Sequence, residues 1–419
     1  MIKYNYLLRC ISCGKEYSPE EVEYTCPDCG PRLGTLEVIY DFSILKKRLK
    51  DARWSTFSER GIWQFSDLLP LPENFDELIP PLLVGNTPLY RADKIAGKYG
   101  VAEVLVKDDG RNPTASFKDR ASALAVVKAK EKGYNTVFCA STGNAASSLA
   151  GLTAAAGLKS VIFVPASAPA AKLTQLQVYG AKVLAIDGSY DEAFDISMIV
   201  GMEKGWYCRN SAINPYLLEG KKTGALELAV QTGMDLPDFV FVSVGDGTVL
   251  SSFYKAFMDL KELGIIERIP TIVGVQAENA SAIIDTYERG EPFTPADLDA
   301  HSVADSIAVG KPRDVIKACK YTKKNGGLFV KVSDKEILDS IIELARGTGV
   351  FAEPAGATAF AGFKRMKSLG QISESARVAL IVTGNGLKDL KAPARVLEEL
   401  KKLPANVEKI REGLDEDKL

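Results

Sequence analysis

A single histidine, His301, occurs in the whole chain. A Ser-His-Asp hydrolase or a histidine-rich metal centre would have to rest on that one residue. It lies in a polar stretch between Pro295 and Val303 with no nucleophile beside it, so it is expected at the surface. An excess of either charge is lacking too. The 52 basic residues face 54 acidic ones, which gives no electrostatic case for binding nucleic acid or a membrane surface. No apolar run approaches the roughly 20 residues that span a bilayer. The stretch from Met1 to Cys10 lacks the apolar core of a secretory signal, so a cytoplasmic protein is expected. At 419 residues the chain has room for two or three domains.

Cysteine is sparse outside two short motifs. Cys139, Cys208 and Cys319 are scattered in apolar surroundings and read as free core thiols of a reducing compartment. The other four form Cys10-x-x-Cys13 and, after twelve residues, Cys26-x-x-Cys29. Gly14 and Gly30 follow the second cysteine of each pair and permit the tight bend of a knuckle. Four thiolates close a tetrahedral shell with no position left for a substrate, so the expected ligand is a structural Zn2+. The alternative is a pair of disulfides. No basic stripe accompanies this module.

Leu36 to Pro81 mixes aromatic residues, charges and prolines, and reads as a helix followed by an extended arm. Beyond Pro81, apolar strands alternate with alanine-rich helices, the pattern of an α/β fold. Strands are expected at 104–107, 136–140, 160–164, 182–186, 239–244, 271–276 and 378–382. Helices are expected at 121–130, 144–156, 171–179, 223–231 and 250–262. The wholly apolar Val240-Phe241-Val242 suggests sheets covered on both faces. The charge-rich end, from Val396, reads as a fraying surface helix.

Four loops follow predicted strands. Asn112-Pro113-Thr114-Ala115-Ser116-Phe117-Lys118-Asp119-Arg120 sets a lysine where a strand gives way to a helix. A helix N-terminus holds small anions, and an amine there is placed to condense with a carbonyl cofactor. The plainer reading is an exposed lysine in a helix's first turn. Ser141-Thr142-Gly143-Asn144, Gly245-Asp246-Gly247-Thr248 and Thr383-Gly384-Asn385-Gly386 are the other three. Ligands of open α/β sheets collect at the carboxyl ends of strands, where such loops converge. The Gly245–Thr248 loop has small residues that let backbone amides close around a phosphate. It matches neither a dinucleotide fingerprint nor a Walker motif.

NPTASFKDR, STGNAASS, VGDGT, AEPAGA (352–357) and VTGNGLKD, in this order, resemble the fold-type II pyridoxal-phosphate enzymes, and among them the threonine synthase family most. The resemblance covers about 81 to 401. It implies a tryptophan synthase β-like fold of two open α/β subdomains, preceded by the small zinc ribbon. The implied layout is a zinc-ribbon-like module over 1–35, a linking helix and arm over 36–80, a catalytic domain over 81–404 and a charged tail over 405–419. A smaller subdomain at about 112–187 would close over the cofactor. By the same resemblance the chain is expected to pair into a homodimer.

Specific roles follow from the resemblance. Lys118 would carry pyridoxal 5'-phosphate and later act as base, with Phe117 packed near the ring. Asn144 would bond the ring hydroxyl oxygen, and Gly245, Asp246, Gly247 and Thr248 would cradle the phosphate. Thr383 would face the pyridine nitrogen; a hydroxyl there, instead of a carboxylate, suits elimination and replacement better than transamination. Ser141 and Thr142 would meet the substrate carboxylate, with Asn210 and Ser211 near its phosphate. The implied reaction is a carbon-oxygen lyase conversion of O-phospho-L-homoserine and water to L-threonine and phosphate.

Two features depart from that pattern. Val84-Gly85-Asn86-Thr87-Pro88-Leu89 is similar to the cysteine-synthase branch of the fold. Leu217 stands where several threonine synthases have an arginine that grips the substrate phosphate. Either Lys221, Lys222, Lys172 or Arg120 takes over, or the substrate differs. The alternatives are β-replacement on an O-phosphoserine-like substrate, as in cysteate or cysteine synthases, and a serine or threonine dehydratase. A phosphate-sensing protein without catalysis is a further alternative; it would stay colourless with added cofactor.

Overall fold

The computed structural model describes residues 5–49, 54–168, 170–399, 402, 404–408, 410 and 411. The side chain of Lys172 and most of the tail expected at 405–419 lie outside these described residues. Strands β1 (Tyr6–Cys10), β2 (Glu16–Tyr17) and β3 (Leu36–Tyr40) form a small antiparallel sheet in the order β2-β1-β3. Alternation drives it: Tyr6, Leu8 and Cys10 turn inward opposite Leu36, Val38 and Tyr40. Strand β3 occupies the start of the segment expected to be helix and arm. The helix begins only at Phe42, where Asp41 accepts from the backbone amides of Ser43 and Ile44.

The body follows with β4 (Leu89–Arg91), β5 (Glu103–Asp108), β6 (Thr136–Ala140), β7 (Lys159–Pro165) and β8 (Lys182–Ile186). Then come β9 (Tyr207–Cys208), β10 (Phe239–Ser243), β11 (Thr271–Ala277), β12 (Leu328–Val332) and β13 (Arg377–Val382). A six-stranded sheet runs β12-β11-β10-β13-β5-β4, and a four-stranded sheet runs β8-β7-β6-β9. All pairings are parallel except β4 with β5. The central strands are apolar on both faces because helices cover both sides; Val240, Phe241, Val242, Leu380 and Ile381 are all fully buried.

Three helices, Lys118–Glu131, Tyr216–Gln231 and Thr248–Glu262, form the layer behind the site. The first two approach so closely at Gly220 that a Cβ there would stand 2.3 Å from the Arg120 carbonyl oxygen. A cluster of charges is enclosed between them. Arg120 grips Asp109 through Nε (3.0 Å) and Nη2 (2.8 Å), and reaches Glu227 through Nη1 (2.9 Å). Lys107 Nζ donates to the other Glu227 oxygen at 2.7 Å. Burial alone would raise the Glu227 carboxyl, but Arg120 and Lys107 outweigh it and hold the group down at about 2.

The cysteine-bearing sheet is tied to this body by specific bonds. Lys320 Nζ donates to the Ile11 carbonyl at 2.6 Å, and Lys317 Nζ to that of Leu36 at 3.0 Å. Tyr40 donates its hydroxyl to Glu219 Oε2 at 2.6 Å. Among the described residues no helix is long and apolar enough to cross a membrane.

Candidate active site

Parallel strands deliver their following loops to one edge. Val382 of β13 stands opposite Asp108 of β5, so the loop after each leaves side by side. The two loops are then stitched together: Phe117 N–H donates to the Thr383 carbonyl (2.8 Å) and Asn385 N–H to that of Ala115 (3.1 Å). Ala115 sits at φ +66°, a left-handed conformation costly for an alanine and held by these contacts. Asp119 accepts from the Thr114 amide at 2.6 Å and folds the loop back on its helix. With Asp119 and Arg120 both engaged, Lys118 is the charge of the SFKDR motif left to face outward from the loop. Among the described residues its Nζ has no hydrogen-bond or ion-pair partner.

A cavity of about 580 Å³ opens where these loops meet the edge of the four-stranded sheet. Phe117, Lys118 and Thr383 border it from one side of the fold. Ser141, Thr142 and Asn144, after β6, border it from the other, with Asn210 and Ser211 after β9. Gly245, Asp246, Gly247 and Thr248, after β10, complete the wall. Every residue given a cofactor or substrate role by the resemblance therefore borders one cavity. His301 is exposed, as expected.

The cavity's electrostatics follow from enclosure. Burial, and next the nearby Arg209 guanidinium, bring the Lys118 amine down to about 8. Burial lifts the Asp246 carboxyl to about 6, against the pull of Arg313, whose amide donates to Asp246 Oδ1 at 2.7 Å. At the glycine loop, Gly247 adopts φ +95° and serves as N-cap of the helix Thr248–Glu262 with no side chain capping it. A Cβ on Gly245 would stand 2.9 Å from Ile307 Cα. Uncapped amides at the end of a fifteen-residue helix are a ready anion site.

This wall suits pyridoxal phosphate. It offers an amine and a buried Ser243 hydroxyl that have no partner among the described residues, and an uncapped helix N-terminus for the phosphate.

Several wall residues were not anticipated. Glu353 accepts from Asn144 Nδ2 at 2.7 Å, occupying one of that amide's two N–H donors. Burial raises its carboxyl to about 7, opposed by Lys388, Asn144 and Lys118. Glu353 belongs to the AEPAGA motif, yet only the folded chain shows its carboxylate meeting a residue 209 positions away. Arg209 and Arg313 also border the cavity.

One expected contact needs correction. The Asn210 side chain is spent inside the fold: its Oδ1 accepts from the Ala140 amide (2.8 Å) and its Nδ2 donates to Ser197 (3.2 Å). It braces the end of β6 and is unavailable to a substrate phosphate. Nor do two of the cations offered as replacements at Leu217 remain free. Arg120 is consumed by Asp109 and Glu227, and Lys222 by Glu219 and Asp259. Leu217 itself is fully buried in an apolar cluster.

The four cysteines of the N-terminal motifs come together as expected, their Sγ atoms all within 4.8 Å of one another. Gly14 and Gly30 take φ +77° and +72°, and their amides close the two knuckles on the Cys10 and Cys26 carbonyls. No disulfide joins the seven cysteines among the described residues.

The model of the family described as "Pyridoxal-phosphate dependent enzyme" matches residues 81–384. Threonine synthases of Methanosarcina acetivorans and Methanocaldococcus jannaschii are each 38% identical over 412 residues, covering 98% of this chain and 98% and 100% of theirs. Among solved structures, the processed form of threonine deaminase isoform 2 from Solanum lycopersicum superposes with a TM-score of 0.67. It is 19% identical and covers 82% of this chain and 90% of that one. Diaminopropionate ammonia lyase from Escherichia coli gives 0.64 at 19% identity, over 77% and 89%. Such distant structures speak for the fold alone, but with sequence relatives matched from end to end, the chain belongs to the pyridoxal-phosphate dependent enzymes and, within them, to the threonine synthase family.

Proposed function

We propose that this chain converts O-phospho-L-homoserine and water to L-threonine and phosphate at the cavity around Lys118. The observation that carries this reading is the meeting of four separate loops, which supply an unpartnered amine, a phosphate cradle and a row of small hydroxyls in one enclosed space.

Pyridoxal phosphate, when bound, supplies the electron sink that makes the substrate's α- and β-protons removable. Lys118 would hold it, Gly245 to Thr248 would bind its phosphate through backbone amides, and Phe117 would flank the ring. Thr383 would meet the ring nitrogen with a hydroxyl and Asn144 the ring oxygen with its remaining N–H. Glu353 fixes Asn144 from behind, so that the amide keeps one orientation. Ser141 and Thr142, at the start of the helix Asn144–Ala155, would orient the substrate carboxylate. Lys118 Nζ, freed when substrate is bound, moves protons at the α-, β- and γ-carbons. Phosphate departs from the γ-carbon, and water then adds at the β-carbon. Closure of the part at about 112–187 would exclude water until that last step.

The test is a substrate panel read by phosphate release and amino-acid analysis. The expected result is one phosphate per threonine from O-phospho-L-homoserine. Turnover of O-phospho-L-serine alone, or dehydration of serine or threonine alone, would overturn the assignment.

We propose also that Cys10, Cys13, Cys26 and Cys29 bind one structural Zn2+. A reducing, cytoplasmic setting would keep these thiols available to the metal. Purified protein is expected to carry one zinc per chain by metal analysis, lost in Cys26→Ser with the cofactor site still loaded. Zinc-free native protein would exclude the site. By family resemblance the enzyme is a homodimer, which sedimentation equilibrium decides.

A further inference from the structure

Two cationic groups besides Lys118, one bordering the cavity (Arg209) and one just behind it against the lining residue Thr248 (Lys221), have no carboxylate partner among the described residues. Lys221 Nζ donates to Thr248 Oγ1 at 2.5 Å, and so stands at the glycine loop. Arg209, directly after β9, is fully buried. Its Nε donates to Ser122 Oγ (3.0 Å) and its Nη1 to Ser211 Oγ (3.3 Å), while Nη2 has no partner among the described residues. Among the described residues neither Lys221 nor Arg209 forms an ion pair. The contrast with Arg120 and Lys222 is plain, since those two are saturated by two carboxylates each. Taking a guanidinium out of water without a counter-ion costs several kcal/mol. A fold that keeps such a group on a cavity wall leaves its counter-ion to be supplied by a ligand. The proposed reaction brings two phosphates into the cavity, and two groups are waiting.

We propose that Arg209, with Ser211 beside it, receives the phosphate of the amino-acid substrate, while Lys221 serves the phosphate of the cofactor. This rests on the O-phosphohomoserine reading above and names the group that replaces the cation missing at Leu217. The planar guanidinium presents paired N–H donors that match two phosphate oxygens. As the Cγ–O bond breaks, its electron pair passes to the departing phosphate, and a fixed positive charge stabilises it there. Substrates with a hydroxyl in place of the phosphate leave Arg209 unpaired, which makes it a specificity-determining residue.

The test is steady-state kinetics of the holoenzyme on O-phospho-L-homoserine, with inorganic phosphate as competing probe. In the wild type, phosphate is expected to compete with substrate. Arg209→Met should raise KM by about 100-fold or more, in line with truncating one side of a buried charge pair. It should abolish phosphate competition and leave the bound cofactor's absorbance and retention unchanged. Arg209→Lys, which keeps the charge but not the fork, should give a smaller rise in KM and weakened competition, and it decides the matter if the methionine variant does not fold. An unchanged KM, phosphate competition that persists undiminished, or loss of cofactor instead of substrate affinity would overturn the proposal. A wild type that turns over a different substrate and ignores O-phospho-L-homoserine would defeat the substrate reading first, a result distinguishable from a failure at Arg209.

Discussion

Lys118→Ala is expected to lower kcat for phosphate release by about 10³-fold or more, a loss of roughly 4 kcal/mol of transition-state stabilisation. The fold should survive the change. Among the described residues Lys118 Nζ has no bonding partner, and the loop around it is held by backbone bonds to Thr383 and Ala115 and by Asp119. Circular dichroism and melting of the variant should therefore match the wild type, separating chemical loss from structural loss. The amine's environment gives the pH dependence a direction. Only the neutral amine condenses with a carbonyl, and burial beside Arg209 brings Lys118 down to about 8 from its ordinary 10.5. Cofactor uptake by the apoenzyme should thus rise with pH through about 8 and level off there, measured as the growth of the cofactor's visible absorbance.

Arg120→Met should cost about 3–5 kcal/mol of unfolding free energy, because Asp109 and Glu227 would be left buried without their shared cation. The expected effect is global, unlike that of Lys118→Ala, and is read from denaturant unfolding of the two apoproteins. Its pH dependence follows from Glu227, whose folded carboxyl is held at about 2 against an ordinary 4.5. A carboxyl lowered on folding stabilises the native state fully above about pH 4.5 and loses that contribution as pH falls toward 2. The wild type should therefore lose stability on acidification through that window, and the variant, lacking the main partner, should lose less.

The two substitutions lie two residues apart in one motif, and the sequence alone did not separate their roles. The motif announced a lysine between strand and helix, and the glycine loops announced a phosphate site, because strand, turn and helix signals are local. What decided that Asp119 and Arg120 point inward was the pairing of β5 with β13 and the closeness of two helices at Gly220, both long-range. Arg209 escaped notice for the same reason. It follows a strand of two residues with no periodicity to mark it, and an arginine is ordinarily read as surface. Asn210 was legible as a cavity residue, but not as one whose amide is already used. Strand β3 was hidden by Glu37 and Tyr40, a charge and a phenol that are both buried and both bonded to the body's own polar groups. The cysteine motifs were the easiest part, since ligand spacing is itself local.

The most direct measurement is borohydride reduction of the holoenzyme, followed by proteolysis and mass mapping of the fixed pyridoxyl group. The cofactor's carbonyl becomes permanently attached to whichever amine it has condensed with. A single label on Lys118 is the expected result. A label on Lys221 or any other lysine, or no label on protein that is coloured and active, would contradict the assignment of this cavity and of the chemistry placed in it.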